Sequence, residues 1–167
     1  NGRLRIVYRV VGYGTKEFSG CKAGDTLEIM GPLGNGYTLK KDKAILVAGG
    51  IGVPPMLELA KELDCEKTIV LGYRDELFLN KEFEQYGKVV IATEDGSCGT
   101  KGNVLDAIRA ESVDGQVIYS CGPTPMLRAL KQYAADKGIE AWISLEEKMA
   151  CGIGACLACV CKSKDVD

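Results

Sequence analysis

Four cysteines crowd the C-terminal end of this chain: Cys151, Cys156, Cys159 and Cys161, all in the run MACGIGACLACVC (Met149–Cys161). The first three make C-x4-C-x2-C, the spacing of the first three thiolate ligands of a 2Fe–2S cluster. Gly152 and Gly154 let the loop wrap tightly, so that backbone N–H groups can point at the cluster's sulfurs. Cys161 follows Cys159 by two residues, too close to serve the other iron, so the fourth ligand is expected downstream of Asp167. Two other readings stay open. A structural zinc site normally pairs two C-x2-C knuckles, and here only Cys156–Cys159 makes one. A thioredoxin-like dithiol would open a helix after the first strand rather than sit in a tail.

Two further turns could hold a nucleotide. AGGIGVPP (Ala48–Pro55) lies where an apolar run meets an amphipathic one, and its glycines let backbone approach a pyrophosphate at a helix N-terminus. It departs from G-x-G-x-x-G, since Gly50 and Gly52 fit but Pro55 stands at the third glycine position. YSCGPTPML (Tyr119–Leu127) is a second strand-to-helix turn with a cysteine at its tip. Each alone is equally well read as a tight turn shaped by sterics. Glu94 and Asp95, in TEDGSCGTKG (Thr93–Gly102), read by themselves as ordinary loop charge. The chain has no histidine, which excludes a Ser-His-Asp triad, a His-ligated zinc and a Rieske cluster.

The elements that must position these residues fall into three stretches. Residues 1–40 read as β: RLRIVYRVV (Arg3–Val11) and Asp25–Met30 alternate apolar and polar, with a Gly-rich turn at Gly12–Thr15 and GPLGNGY after them. They look like the last strands of a small antiparallel barrel whose earlier part precedes Asn1. A polar junction, Leu39–Lys43, leads into residues 41–147. There five apolar strands alternate with helices: Ala44–Gly50, Thr68–Arg74, Lys88–Asp95, Val117–Pro123 and Glu140–Glu146. That alternation predicts a doubly wound, parallel five-stranded α/β sheet with ligands at the strand C-terminal ends. Residues 148–167 read as a cluster-binding loop.

Bulk properties narrow the class. The 167 residues are 46% apolar and 26% charged, the profile of a globular domain. With 21 basic and 23 acidic residues there is no charge excess to suggest nucleic acid or anionic lipid as a partner. No apolar run approaches a membrane span, and clustered cysteines fit a cytoplasmic redox or metal role better than disulfides.

Together AGGIGVPP and SCGPTPML resemble the NAD(P)-binding half of the ferredoxin–NADP reductase superfamily, with motifs of the form GGIGxxP and CGPxxM. The resemblance implies that Gly49, Gly50, Gly52 and Pro54 cradle the pyrophosphate. It also implies that Glu94, Asp95, Cys121, Gly122 and Pro123 lie on the nicotinamide side, with Cys121 beside the hydride-transfer carbon as the candidate catalytic residue. SLEEKMACGIGACLACVC, VYRVVGYGT and GPLGNGY resemble, more narrowly, the electron-transfer subunits of NAD-linked dihydroorotate dehydrogenase B, over nearly the whole chain. By that resemblance Val7, Tyr8, Arg9, Gly14 and Thr15 contact FAD, and Cys151, Cys156 and Cys159 hold a 2Fe–2S cluster. The cofactors implied are FAD, 2Fe–2S and NAD(H). The partner implied is an FMN-containing catalytic dehydrogenase subunit, in a cytoplasmic heterotetramer of pyrimidine biosynthesis. Small subunits of NADH-dependent ferredoxin–NADP reductase and sulfhydrogenase γ subunits are the nearest alternatives. The former typically carries aspartate at the first cluster position, where this chain has Cys151. Choice between NAD and NADP stays open, since Arg74 could face a 2′-phosphate while Asp75 would repel one.

Overall fold

A computed structural model describes residues 4–74 and 76–161, so the first three residues (Arg3 of the expected first strand among them), Asp75 and the last six lie outside the described part. Its centre is one parallel sheet of six strands in the order β4-β3-β2-β1-β5-β6. The strands are β1 (Ala44–Gly49), β2 (Lys67–Tyr73), β3 (Lys88–Thr93), β4 (Thr100–Lys101), β5 (Val117–Cys121) and β6 (Glu140–Ser144). All five expected strands are present. The sixth, β4, pairs only Thr100 and Lys101 with the end of β3, and two residues are too few to leave a pattern in a sequence.

The strands read as unbroken apolar runs because both of their faces are covered. Ala44, Leu46, Ala48, Ile69, Leu71 and Tyr119 face one side, where α2 (Val53–Glu62) and α3 (Asn80–Phe83) contribute Met56, Leu57 and Phe83. Ile45, Val47, Val70, Ala92 and Ile118 face the other, packed by Ile108 and Leu130 of α4 (Val104–Ala110) and α5 (Thr124–Lys137). Side chains such as Ile45, Leu46, Ile69 and Leu130 are fully buried, each worth about 1.5–3 kcal/mol over exposure.

Local chemistry sets the helix ends. Pro54 and Pro55 sit in the first turn of α2, where no N–H is needed. The Asn103 side chain accepts from Leu105 N at 2.8 Å and Asp106 N at 3.3 Å, while Asp106 returns the bond to Asn103 N at 2.9 Å. Gly138, at φ 64°, ends α5 in the left-handed conformation open to glycine.

The first forty residues depart from expectation. No ladder forms within residues 4–43, and Tyr13–Gly20 is an eight-residue surface helix (α1) that begins in the Gly-rich turn expected at Gly12–Thr15. A strand is stable only beside another, and among the described residues none pairs with Leu4–Val11 or Asp25–Met30. The helix starts because Thr15 Oγ1 accepts from Val11 N and Gly12 N at 3.0 and 3.1 Å. Arg5 ties the segment to α3 through paired bonds to Glu82 at 3.0 and 3.2 Å. The junction is firmly held: Tyr119 Oη donates to Thr38 O at 2.8 Å and accepts from Lys40 N at 3.0 Å.

Candidate functional site

Parallel strands deliver their C-terminal ends to one edge of the sheet, and the expected nucleotide residues are gathered there. Ala48, one residue before the end of β1, is registered with Cys121 at the end of β5. The two turns that follow interlock through backbone. A Cβ on Gly52 would collide with the Cys121 carbonyl and stand 2.7 Å from Gly122 N. A Cβ on Gly122 would lie 3.0 Å from Gly49 N. Gly50, in contrast, has φ 52° and nothing within 4 Å of where a Cβ would be, so its backbone is open to a ligand. Glu94 and Asp95 are exposed at the same sheet edge, just past β3. Asp95 Oδ1 accepts from Ser97 N at 2.9 Å and Ser97 Oγ at 2.7 Å, which holds its carboxyl below the usual range.

Cys121 is half-buried, and burial pushes its thiol up, with the Glu146 charge adding to a shift that a Ser144 contact opposes. It is therefore a neutral thiol at neutral pH, suited to contact rather than to proton transfer or attack. Two neighbours of this turn were not among the expected site residues. Tyr37 donates from Oη to Ser120 O at 2.7 Å and packs edge-on against Tyr119 at 5.4 Å; burial takes its own pKa to about 12. Met126 lies under both glycine turns. Tyr37 carried no spacing signal, whereas Met126 closes the CGPxxM motif and packs against that motif's glycine.

The cysteine loop is exposed and wound by left-handed residues: Gly152 (φ 71°), Gly154 (φ 76°) and Leu157 (φ 60°). Cys156 N points at Cys151 Sγ at 3.5 Å. The amides of Cys156, Ile153 and Ala155 together pull the Cys151 thiol down to about 6. Such converging N–H groups are what a thiolate or a cluster sulfide needs, so the donor set fits an iron–sulfur group. The three expected ligands are not brought into one closed site, however. Among the described residues no three of His, Cys, Asp and Glu stand close enough to hold a metal ion. Cys151 turns into its own loop, whereas Cys159 and Cys161 line a cleft of about 410 Å³ with Gly52, Cys121 and Met149. That cleft joins the cysteine loop to the paired glycine turns. Cys161 Sγ lies 3.9 Å from Glu147 Oε1.

Of the expected flavin contacts, Val7, Tyr8, Arg9 and Gly14 are exposed and Thr15 half-exposed, on the N-terminal segment. Tyr8 packs edge-on against Phe18 at 5.9 Å, and Thr15 caps α1. Arg74 is exposed beyond the end of β2, and its rival Asp75 lies outside the described residues.

Two family models match the chain: an oxidoreductase NAD-binding domain over residues 46–132, and the iron–sulfur cluster binding domain of dihydroorotate dehydrogenase B over residues 146–167. Curated relatives include the dihydroorotate dehydrogenase B (NAD(+)) electron transfer subunit of Fusobacterium nucleatum, 47% identical over 98% of this chain and 67% of that protein. The subunit of the same name from Caldanaerobacter subterraneus is 47% identical with the same shares. The chain thus spans about two thirds of the length of these relatives. Among solved structures, an NADH-dependent reduced ferredoxin–NADP oxidoreductase is 33% identical with a TM-score of 0.82, over 91% of this chain and 58% of that one. The C-terminal domain of a Pyrococcus furiosus hydrogenase, 16% identical with a TM-score of 0.55 over 69% of this chain and 100% of its own, is a likeness of fold alone.

Proposed function

Because this chain belongs to the family of electron-transfer subunits of NAD-linked dihydroorotate dehydrogenase B, we propose that it conducts electrons from a dihydroorotate-oxidising partner to NAD+, through an iron–sulfur cluster and FAD. The observation that carries this reading is the cleft that Cys159 and Cys161 line together with Gly52, Cys121 and Gly122. An iron–sulfur group passes one electron at a time and NAD+ takes two with a proton as hydride, so a flavin between them supplies the conversion.

The chain's own residues do the placing. Gly50 offers open backbone to a pyrophosphate, at the foot of a ten-residue helix whose N-terminus favours anions. Gly49, Gly52 and Pro54 shape the rest of that cradle, and Gly122 and Pro123 lie on the nicotinamide side. Cys121, neutral and half-buried, presents a small soft surface to the nicotinamide, with Glu94 and Asp95 on its flank. Cys151, Cys156 and Cys159 supply thiolates to a 2Fe–2S cluster, with a fourth ligand from beyond Asp167. Val7, Tyr8, Arg9, Gly14 and Thr15 contact FAD in a flavin domain to which residues 1–40 belong; residues 41–147 form the nucleotide domain and 148–167 the cluster segment. No residue need act as an acid or base, which suits a chain without histidine.

The partner is an FMN-containing catalytic subunit in a cytoplasmic heterotetramer. Exposed apolar side chains ring the cysteine loop, namely Met149 (69% exposed), Leu157 (68%), Val160 (66%) and Ile153 (55%), and such a patch is suited to docking. Among the described residues no helix is long and apolar enough to cross a membrane. A second reading, the small subunit of an NADH-dependent ferredoxin–NADP reductase, is favoured by that enzyme's structural likeness. Cys151 at the first cluster position and the match over residues 146–167 count against it.

The test is the visible spectrum of the full-length subunit. Overlapping flavin and 2Fe–2S bands, with the flavin bands bleached by NADH without air, are expected. A colourless protein, or one whose flavin NADH leaves oxidised, would overturn the reading.

A further inference from the structure

Beside the backbone contacts between the two glycine turns, one side chain lies against both. A Cβ on Gly49 would lie 2.8 Å from Met126 Sδ and 3.1 Å from Pro123 Cδ, and a Cβ on Gly122 would lie 2.6 Å from Met126 Cε. The thioether therefore occupies space that both glycines leave by having no side chain. Met126 sits in the first turn of α5, half-buried, and packs against the core on the α4–α5 side of the sheet.

We infer that Met126 is a positioning residue for hydride transfer: its thioether, packed against both Gly49 and Gly122 beside their backbone contacts, fixes where the nicotinamide turn sits relative to the pyrophosphate turn. This rests on the proposed NAD site. The two turns are not equally free to move. The pyrophosphate turn continues from β1, a central strand, into α2, which buries Val53, Met56, Leu57, Leu59 and Ala60. The nicotinamide turn has Gly122 at φ 156° and a partly exposed Cys121, so a lost wedge is relieved there. Methionine suits the position because an unbranched, polarizable chain fills an irregular gap without strain. Displacement of a reacting centre by a fraction of an ångström slows a transfer that depends on alignment far more than it weakens binding.

Met126→Ala and Met126→Val both fall short of the gap, and Met126→Leu nearly fills it. In the FAD-loaded full-length subunit, two quantities separate positioning from general damage: the dissociation constant of ADP-ribose, which lacks the nicotinamide, and the rate of flavin bleaching by saturating NADH. ADP-ribose affinity should stay within about twofold in all three variants. Bleaching should slow about tenfold or more in Met126→Ala and Met126→Val, and less than about threefold in Met126→Leu. Wild-type bleaching rates in the Ala or Val variant would overturn the inference, as would parallel loss of ADP-ribose affinity and rate. If Met126→Ala does not fold, Met126→Val carries the same expectation. A wild-type subunit that binds no ADP-ribose overturns the nucleotide site itself, and the inference with it.

Discussion

Gly52 shows what a single residue does here and how much of it a sequence displays. In the linear pattern it is a phosphate-loop glycine, there to let a ligand approach. In the fold its missing side chain makes room for the Cys121 carbonyl, a partner far along the chain that no local spacing could announce. Gly52→Ala should accordingly force the two turns apart, costing about 3 kcal/mol in urea unfolding as a small-to-large change against backbone. NAD+ affinity should fall more than tenfold in the same variant. Gly50→Ala meets open space and strains only its own φ of 52°, costing about 1 kcal/mol. Equal effects at the two positions, measured by unfolding and by nucleotide titration, would contradict this division of roles. Cys121 and Met126 are both marked in the sequence by the CGPxxM motif, while Tyr37 beside them is not.

Among the elements, those buried on both faces could be read directly, because a parallel strand must be apolar throughout. The five strand positions and the stop of α5 at Gly138 follow from that and from glycine's tolerance of the left-handed region. Alternation failed as a guide in residues 4–43, where apolar residues such as Val11, Tyr13 and Met30 are 74–81% exposed and no ladder forms. Period-two patterning states which face could be buried, not whether a partner strand is there to bury it. The cysteine loop was legible from spacing alone, yet spacing does not specify which sulfurs turn inward. In the full-length subunit, serine in place of Cys151, Cys156 or Cys159 should remove the cluster's visible absorption and its iron, while Cys161→Ser should keep both. Loss of iron in Cys161→Ser with all downstream cysteines dispensable would reassign the fourth ligand.

On the scale of the whole molecule, the described core is confined to one part of the chain. Every described buried hydrophobic residue lies between Ala44 and Ala134, while the N-terminal segment and the cysteine loop flank it with exposed apolar side chains. A nucleotide domain with apolar flanks on both sides is suited to receive, as the end of a relay, electrons delivered by neighbouring parts of the protein. Dye reduction by NADH should then need only the nucleotide site and FAD, since a dye takes electrons from the flavin directly. Transfer from dihydroorotate to NAD+ should need the cluster and the catalytic partner as well. The most direct measurement is NADH formation from dihydroorotate by the assembled complex carrying Cys156→Ser, beside NADH-driven dye reduction by the same preparation with FAD content matched to wild type. Dye reduction near wild type with NADH formation reduced at least a hundredfold is the predicted result. NADH formation at the wild-type rate without the cluster would contradict the relay from cysteine loop to flavin to NAD+.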